Sequence, residues 1–275
     1  VRVRSLMTAA AGAALIAPAA LPGAAPVTLD AGHERAAYTP EAGDAPDAPD
    51  APALLGMPGA LGASGGRESR EQRKPLEPWR TGEVRAAELL AAVRDCAPVS
   101  RGRFRSDDGE PADIEVCGRR DAVFWKADMD IDCDGRPGRH CNARTDPLFS
   151  ENTAYQQSDG RQLSAERLPY VVVPAPSRRW NHRKHDVRRG TVAAVVHGDR
   201  VGYAVVGDIG PDDIIGEASY ALARDLGIRP DPTGGGAASG VTYILFKDSG
   251  ASPIESRRAA AAQGEKLARE FVGRS

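Results

Sequence analysis

The chain has 275 residues, 41% of them hydrophobic and 27% charged, with a net charge of −2. That length suits one or two domains, and the near-neutral balance excludes a molecule that meets nucleic acid or a membrane surface through bulk charge. After the first 25 residues no apolar run is long enough to span a bilayer.

The chain opens on "VRVRSLMTAAAGAALIAPAALPGAAP". Arg2 and Arg4 precede a short apolar run from Leu6 to Ile16, and small residues follow, so residues 1–25 read as a secretory signal peptide. Residues 26–78 read as a disordered linker. Ala-Pro-Asp repeats between Ala45 and Ala53, Gly-rich text follows, and neither buries enough apolar surface to offset the entropy of ordering. A single domain is expected over 79–275, large enough for a full core.

Within it, "GEVRAAELLAAVRDCA" (82–97) has the apolar spacing of an amphipathic helix. "IEVCGRRDAVFWKADMDIDCDG" predicts two strands around a turn at Gly118–Arg120. "LPYVVVPA" (168–175) is β-branched and bounded by prolines. Val192–His197 and Val201–Val206 flank Gly198-Asp199, a hairpin signal. A helix is expected from Glu217 to Leu226, stopped by Gly227 and Pro230. "GVTYILFKDSG" predicts a buried strand, and "IESRRAAAAQGEKLAREFV" a terminal helix. Short strands without regular β-α alternation predict an α+β domain on a mostly β core.

Cys96, Cys117, Cys133 and Cys141 make an even count in a chain read as exported, which points to two disulfides. Three pairings are open. Cys133–Cys141, closing "CDGRPGRHC", with Cys96–Cys117 is the favoured one. No pair has the C-x₂-C spacing of zinc modules.

Two stretches carry chemistry. In "VGYAVVGDIGPDDIIGEASYALARDLG" a strand ends at Gly207 and Asp208 follows at once, while Glu217 stands near the first turn of the next helix. Two carboxyls so presented suit glycoside hydrolysis, one as acid and one as base or nucleophile. In "ADMDIDCDG" (127–135), Asp130, Asp132, Asp134 and Gly135 match the first half of a calcium loop, but position twelve is Cys141 instead of Glu and no helices flank it. A strand fits better, with Asp128, Asp130 and Asp132 on one face and Met129, Ile131 and Cys133 on the other.

Six motifs in register, "ADMDIDCDG", "LPYVVVP", "AAVV", "GDIGP", "IGEASYALARDLGI" and "GGGAASGVTYILF", resemble the fungal-type chitosanases of glycoside hydrolase family 75 over most of Ala122 to Phe246. The resemblance implies a secreted, extracellular enzyme that cuts the β-1,4 bonds of chitosan internally and with inversion. It implies Asp208 and Glu217 as the essential carboxylates, and a six-stranded double-psi-like β-barrel with helices packed outside. Glu217 is written as the acid and Asp208 as the base, although the sequence does not decide the roles. Asp128, Asp130, Asp132 and Asp134 become candidate substrate-binding residues, since a row of like charges calls for a cationic partner such as protonated glucosamine.

The basic stretch "SRRWNHRKHDVRR" (177–189) is expected to be a solvated loop. His182, His185 and Asp186 within it are read as solvated side chains, not metal ligands. The expectation is a monomer acting on chitosan, with no cofactor or metal, no nucleic-acid partner and no membrane after signal removal. Alternatives are a hydrolase of another wall polymer, such as cellulose or peptidoglycan, and a non-catalytic expansin-like wall-binding protein.

Overall fold

Six strands close on themselves into a barrel. A computed structural model describes residues 84–273; the expected signal peptide, the linker and the start of the domain at 79 lie outside the described residues. The chain enters through α1 (Ala86–Ala92) and the short β1 (Ala97–Pro98) and β2 (Cys117–Arg119), which extend the sheet beside β3 (Ala122–Asp132). There follow β4 (Tyr170–Pro174), β5 (Val192–His197), β6 (Arg200–Gly210), β7 (Glu217–Ser219), α2 (Tyr220–Asp225), β8 (Ala237–Phe246) and α3 (Arg257–Phe271). The barrel order is β3-β7-β4-β6-β5-β8, closed by antiparallel pairing of β8 with β3. The expected α+β class and six-stranded barrel are found.

Strand periodicity sorts the side chains. Val123, Trp125, Met129 and Ile131 of β3 join Val171, Val195, Val206 and Tyr243 in one buried cluster that fills the barrel. Trp125 and Tyr243 stack there with ring centroids 5.3 Å apart. The alternate residues face outward. Phe124, Ala194 and Ile244 pack under Leu89 of α1 and Ala268 and Phe271 of α3. Tyr170, Val172 and Val205 pack against Leu163, Ile254 and Ala260.

The hairpin between β5 and β6 forms where the sequence places it, with His197 paired to Arg200 and Gly198 at φ +60°. The turn before β3 is Arg120-Asp121, at the end of the expected range, and Arg120 takes φ +47°. Both favoured disulfides are present: Cys96–Cys117 anchors β2 to the segment after α1, and Cys133–Cys141 closes a short loop off the end of β3.

Candidate active site

The acidic stretch is the last half of β3. Met129, Ile131 and Cys133 are buried, whereas Asp128, Asp130 and Asp134 are half-buried and Asp132 is 2% exposed. The alternation is therefore as the sequence implies, but the aspartates do not stand in open water. They form a row on the outer surface of the barrel.

Two departures from the sequence reading bring Glu217 and Asp208 beside that row. Glu217 belongs to a strand and not to a helix. It opens β7, parallel to β3, with Glu217 beside Asp130 and Ser219 beside Asp132. The helix starts only at Tyr220 because the Ser219 hydroxyl caps it, accepting from the Leu222 N–H. Asp208 likewise does not follow a strand end: β6 continues to Gly210. Val171 pairs with Val206 but Val172 pairs with Asp208, so Gly207 is an extra residue in β6. This bulge switches the inside-outside alternation. Val206 points into the barrel, and Asp208 turns outward beside Val172 instead of inward. A Cβ at Gly207 would come within 2.6 Å of the Tyr170 side chain, so the bulge has room only for glycine.

Val171 also pairs with Ala218 across the antiparallel β4–β7 ladder, so Val172 lies between Glu217 on one side and Asp208 on the other. Two strand spacings put their backbones about 9–10 Å apart. Glu217 leans across this gap: its Oε2 lies 2.9 Å from where a Cβ on Gly210 would be. Asp208 is 6% and Glu217 7% exposed.

The environments differ in detail. Asp208 Oδ1 accepts from the N–H groups of Ala154 and Ile209, both at 2.7 Å. Burial nevertheless raises its pKa to about 8, helped by the nearby charges of Asp132 and Asp134. Asp132 in turn accepts from the Asp134 N–H at 2.9 Å, and Asp134 from the Ser150 N–H at 2.9 Å. On the other side burial also raises Asp128 to about 8, with Asp130, Glu217 and Asp107 adding to the effect. Its Oδ1 is buried without a hydrogen-bond partner among the described residues. It packs against Gly216, at φ +125°, where any Cβ would collide with that oxygen.

Asp132, Asp134 and Asp208 bring one oxygen each within 4.8 Å of one another, the spacing a cation needs. The other metal reading fares worse geometrically: His182 is buried with Nδ1 at 2.8 Å from the Val187 carbonyl, and Asp186 pairs with Arg188.

Three contributors carry no sequence signal. The Tyr243 hydroxyl lies 2.9 Å from the Asp128 carbonyl and 3.1 Å from that of Gly216, tying β3 to the residue before Glu217. Ala154 supplies a backbone donor to Asp208. Tyr155, half-buried beside Asp208 and Arg183, has its pKa raised chiefly by burial. The basic stretch reaches the edge of this site, where Arg183 acts on Tyr155 beside Asp208, while the charges that raise Asp128 and Asp208 are other carboxylates.

The sequence family described as "Fungal chitosanase of glycosyl hydrolase group 75" matches residues 129–272. That span holds Asp208, Glu217 and all the acidic row except Asp128. Endo-chitosanase C of Aspergillus oryzae is 33% identical over 129 residues, covering 46% of this chain and 31% of that protein. An endo-chitosanase of Aspergillus oryzae is 30% identical over 142 residues, 47% of this chain and 58% of that protein. Endo-chitosanase B of the same species is 29% identical over 179 residues, 58% and 74% respectively. The chain thus spans about a third of the first relative and under two thirds of the second. The match over 129–272, the longer part of the chain, places it in a family: this chain belongs to glycosyl hydrolase group 75.

Proposed function

We propose that the protein is an exported endo-chitosanase that hydrolyses the β-1,4 glucosaminidic bonds of chitosan with inversion, using Asp208 and Glu217. The observation that carries the reading is the placement of these two carboxyls on opposite sides of Val172, beside a row of further carboxylates. Inverting glycosidases hold their carboxyls roughly 6.5–9.5 Å apart to admit a water. A separation of about two strand spacings, shortened by the lean of Glu217 over Gly210, agrees with that.

Asp208, whose pKa burial and the charges of Asp132 and Asp134 raise to about 8, is assigned as the acid, the opposite of the order expected from the sequence. Asp208 gives its proton to the glycosidic oxygen as the C1–O bond breaks. Glu217 takes a proton from the water that attacks C1 from the opposite face, leaving the α-anomer. The anionic grip on protonated glucosamine falls to Asp130 and Asp134, because burial raises the pKa of Asp128 to about 8 and Asp132 is buried. Chitosan is favoured over a neutral glycan by this acidic row, and the endo-acting relatives support internal cleavage. Two disulfides suit an oxidising, extracellular setting. A single chain without metal or cofactor suffices for this chemistry.

The test is release of reducing ends by the purified chain from soluble chitosan, carboxymethyl cellulose and peptidoglycan, with the first product's anomer read by NMR. Cleavage of chitosan alone, giving the α-anomer, is expected. Preference for either other polymer would change the substrate. A β-anomer would replace inversion by retention, and no release from any polymer would leave a wall-binding protein.

A further inference from the structure

The stretch 177–189 is not spread out in solvent as expected. With the segment 99–102 and the turn at Asp212 it forms a groove of about 1130 Å³. Arg101, Arg178, Arg179 and Lys184 line it, with Asp212 as the one carboxylate and Trp180 in its wall. Neighbouring arginines are spent on carboxylates: Arg103 on Glu115, Arg105 on Asp213 and Arg188 on Asp186. The groove cations make no ion pair among the described residues. Arg179 is held by stacking over Phe104, 5.5 Å from the ring centroid, and by donating to the Asp212 carbonyl. It is therefore pre-organised and not floppy.

We propose that this groove binds an anionic glycan, a sugar polymer bearing carboxylates or phosphates. Arginines present flat, two-pronged donors that match either group. The volume is far more than one inorganic anion needs and is of the size that accommodates a short oligomer. The lone Asp212 offers an acceptor to sugar hydroxyls. The Trp180 indole N–H, buried and without a partner among the described residues, lies in the same wall. Trp180 is only 3% exposed, so it offers no face on which a nucleic-acid base could stack.

The groove begins where the acidic site ends. Pro174 pairs with Gly210, over which Glu217 leans, and Ala175 donates to the Gly210 carbonyl. Ser177 and Asp212, a few residues further on in each strand's continuation, line the groove. An anionic glycan held there would sit beside a cationic polymer at the acidic site.

The experiment is calorimetric titration of the full chain with an oligogalacturonate, a poly(glycerol phosphate), dextran and single-stranded DNA, at low salt and at roughly 0.5 M salt. At least one anionic glycan should bind, weakening with salt, while dextran does not. The tighter of the two assigns carboxylate or phosphate. Arg178→Glu with Lys184→Glu should weaken that binding at least about tenfold, the loss of one or two charge-assisted bonds, with the unfolding midpoint unchanged. The same change in net charge at Arg94 and Arg258, both exposed and outside the groove, should alter it less than about twofold. Failure of both glycans to bind, tighter binding of DNA than of either, or equal weakening by the two variant pairs would overturn the proposal.

Discussion

Asp208 and Glu217 come to the same outer face of the barrel in different surroundings. Asp208 is held by hydrogen bonds, two backbone donors on one oxygen, within a chain of carboxyls that are themselves anchored: Asp132 to Asp134, Asp134 to Ser150. Glu217 stands over one glycine and next to another, with a buried Asp128 oxygen packed against Gly216. Backbone donors hold the carboxyl proposed as the acid. Neighbouring glycines leave room for the carboxyl proposed as the base. The lesson is that like residues a few ångströms apart owe their behaviour to different forces, and different substitutions should disturb them.

Both carboxyls should prove indispensable first. Asp208→Asn and Glu217→Gln are each expected to lower kcat on chitosan by at least about 10³-fold with unchanged unfolding; near-normal turnover in either would remove that residue from the mechanism. Next come the glycines. Gly216→Ala forces a side chain into the left-handed region and against Asp128, at a cost of about 2–4 kcal/mol. Denaturant titration should show that loss, whereas Asp128→Ala added to it should restore part.

The polar surroundings of Asp208 are tested through pH. Asp208 must be protonated to act as acid, so kcat/KM should fall as pH rises through about 8. Asp132→Asn removes a neighbouring negative charge, stabilises ionised Asp208, and should move that alkaline limb down by about one unit. An unmoved limb would mean that Asp132 does not act on Asp208. Asp130→Asn and Asp134→Asn should raise KM for deacetylated chitosan by about three- to tenfold and for highly acetylated polymer less; an equal rise on both would count against charge recognition.

The smallest effect concerns stability. The folded-state pKa of Asp128 is above its unfolded value, so its contribution is fully present below about pH 4 and is lost as pH rises through about 8. Asp128→Asn cannot ionise, and should be level with the parent at pH 4 and progressively more stable than it as pH rises to 8. A gap of the same size at both pH values would mean that ionisation is not the cause.

Much of the barrel was legible because strand alternation is a local signal: Met129, Ile131 and Cys133 are buried as their spacing implies, and Gly198-Asp199 makes the expected hairpin. The site residues were legible by resemblance more than by pattern. What stayed hidden is non-local. β7 is three residues long and reads as the start of a helix, because only its parallel neighbour β3 makes Glu217-Ala218-Ser219 a strand. Gly207 reads as a strand end, because nothing in the chain says that β4 will pair on both sides of it. The groove of 177–189 needs segments from three places in the chain, so its composition was visible and its shape was not.

The extra residue at Gly207 has a consequence for how such an enzyme can vary. Which side of the barrel Asp208 serves is decided by the bulge at Gly207, not by the chemistry of Asp208 itself. Straightened without the bulge, the same residues would pair Val172 with Gly207, turn Asp208 toward the apolar filling beside Val206 and bring Ile209 out in its place. Deleting Gly207 would instead keep Val172 opposite Asp208. A single side chain at position 207 is therefore enough to disturb the site without touching either carboxyl.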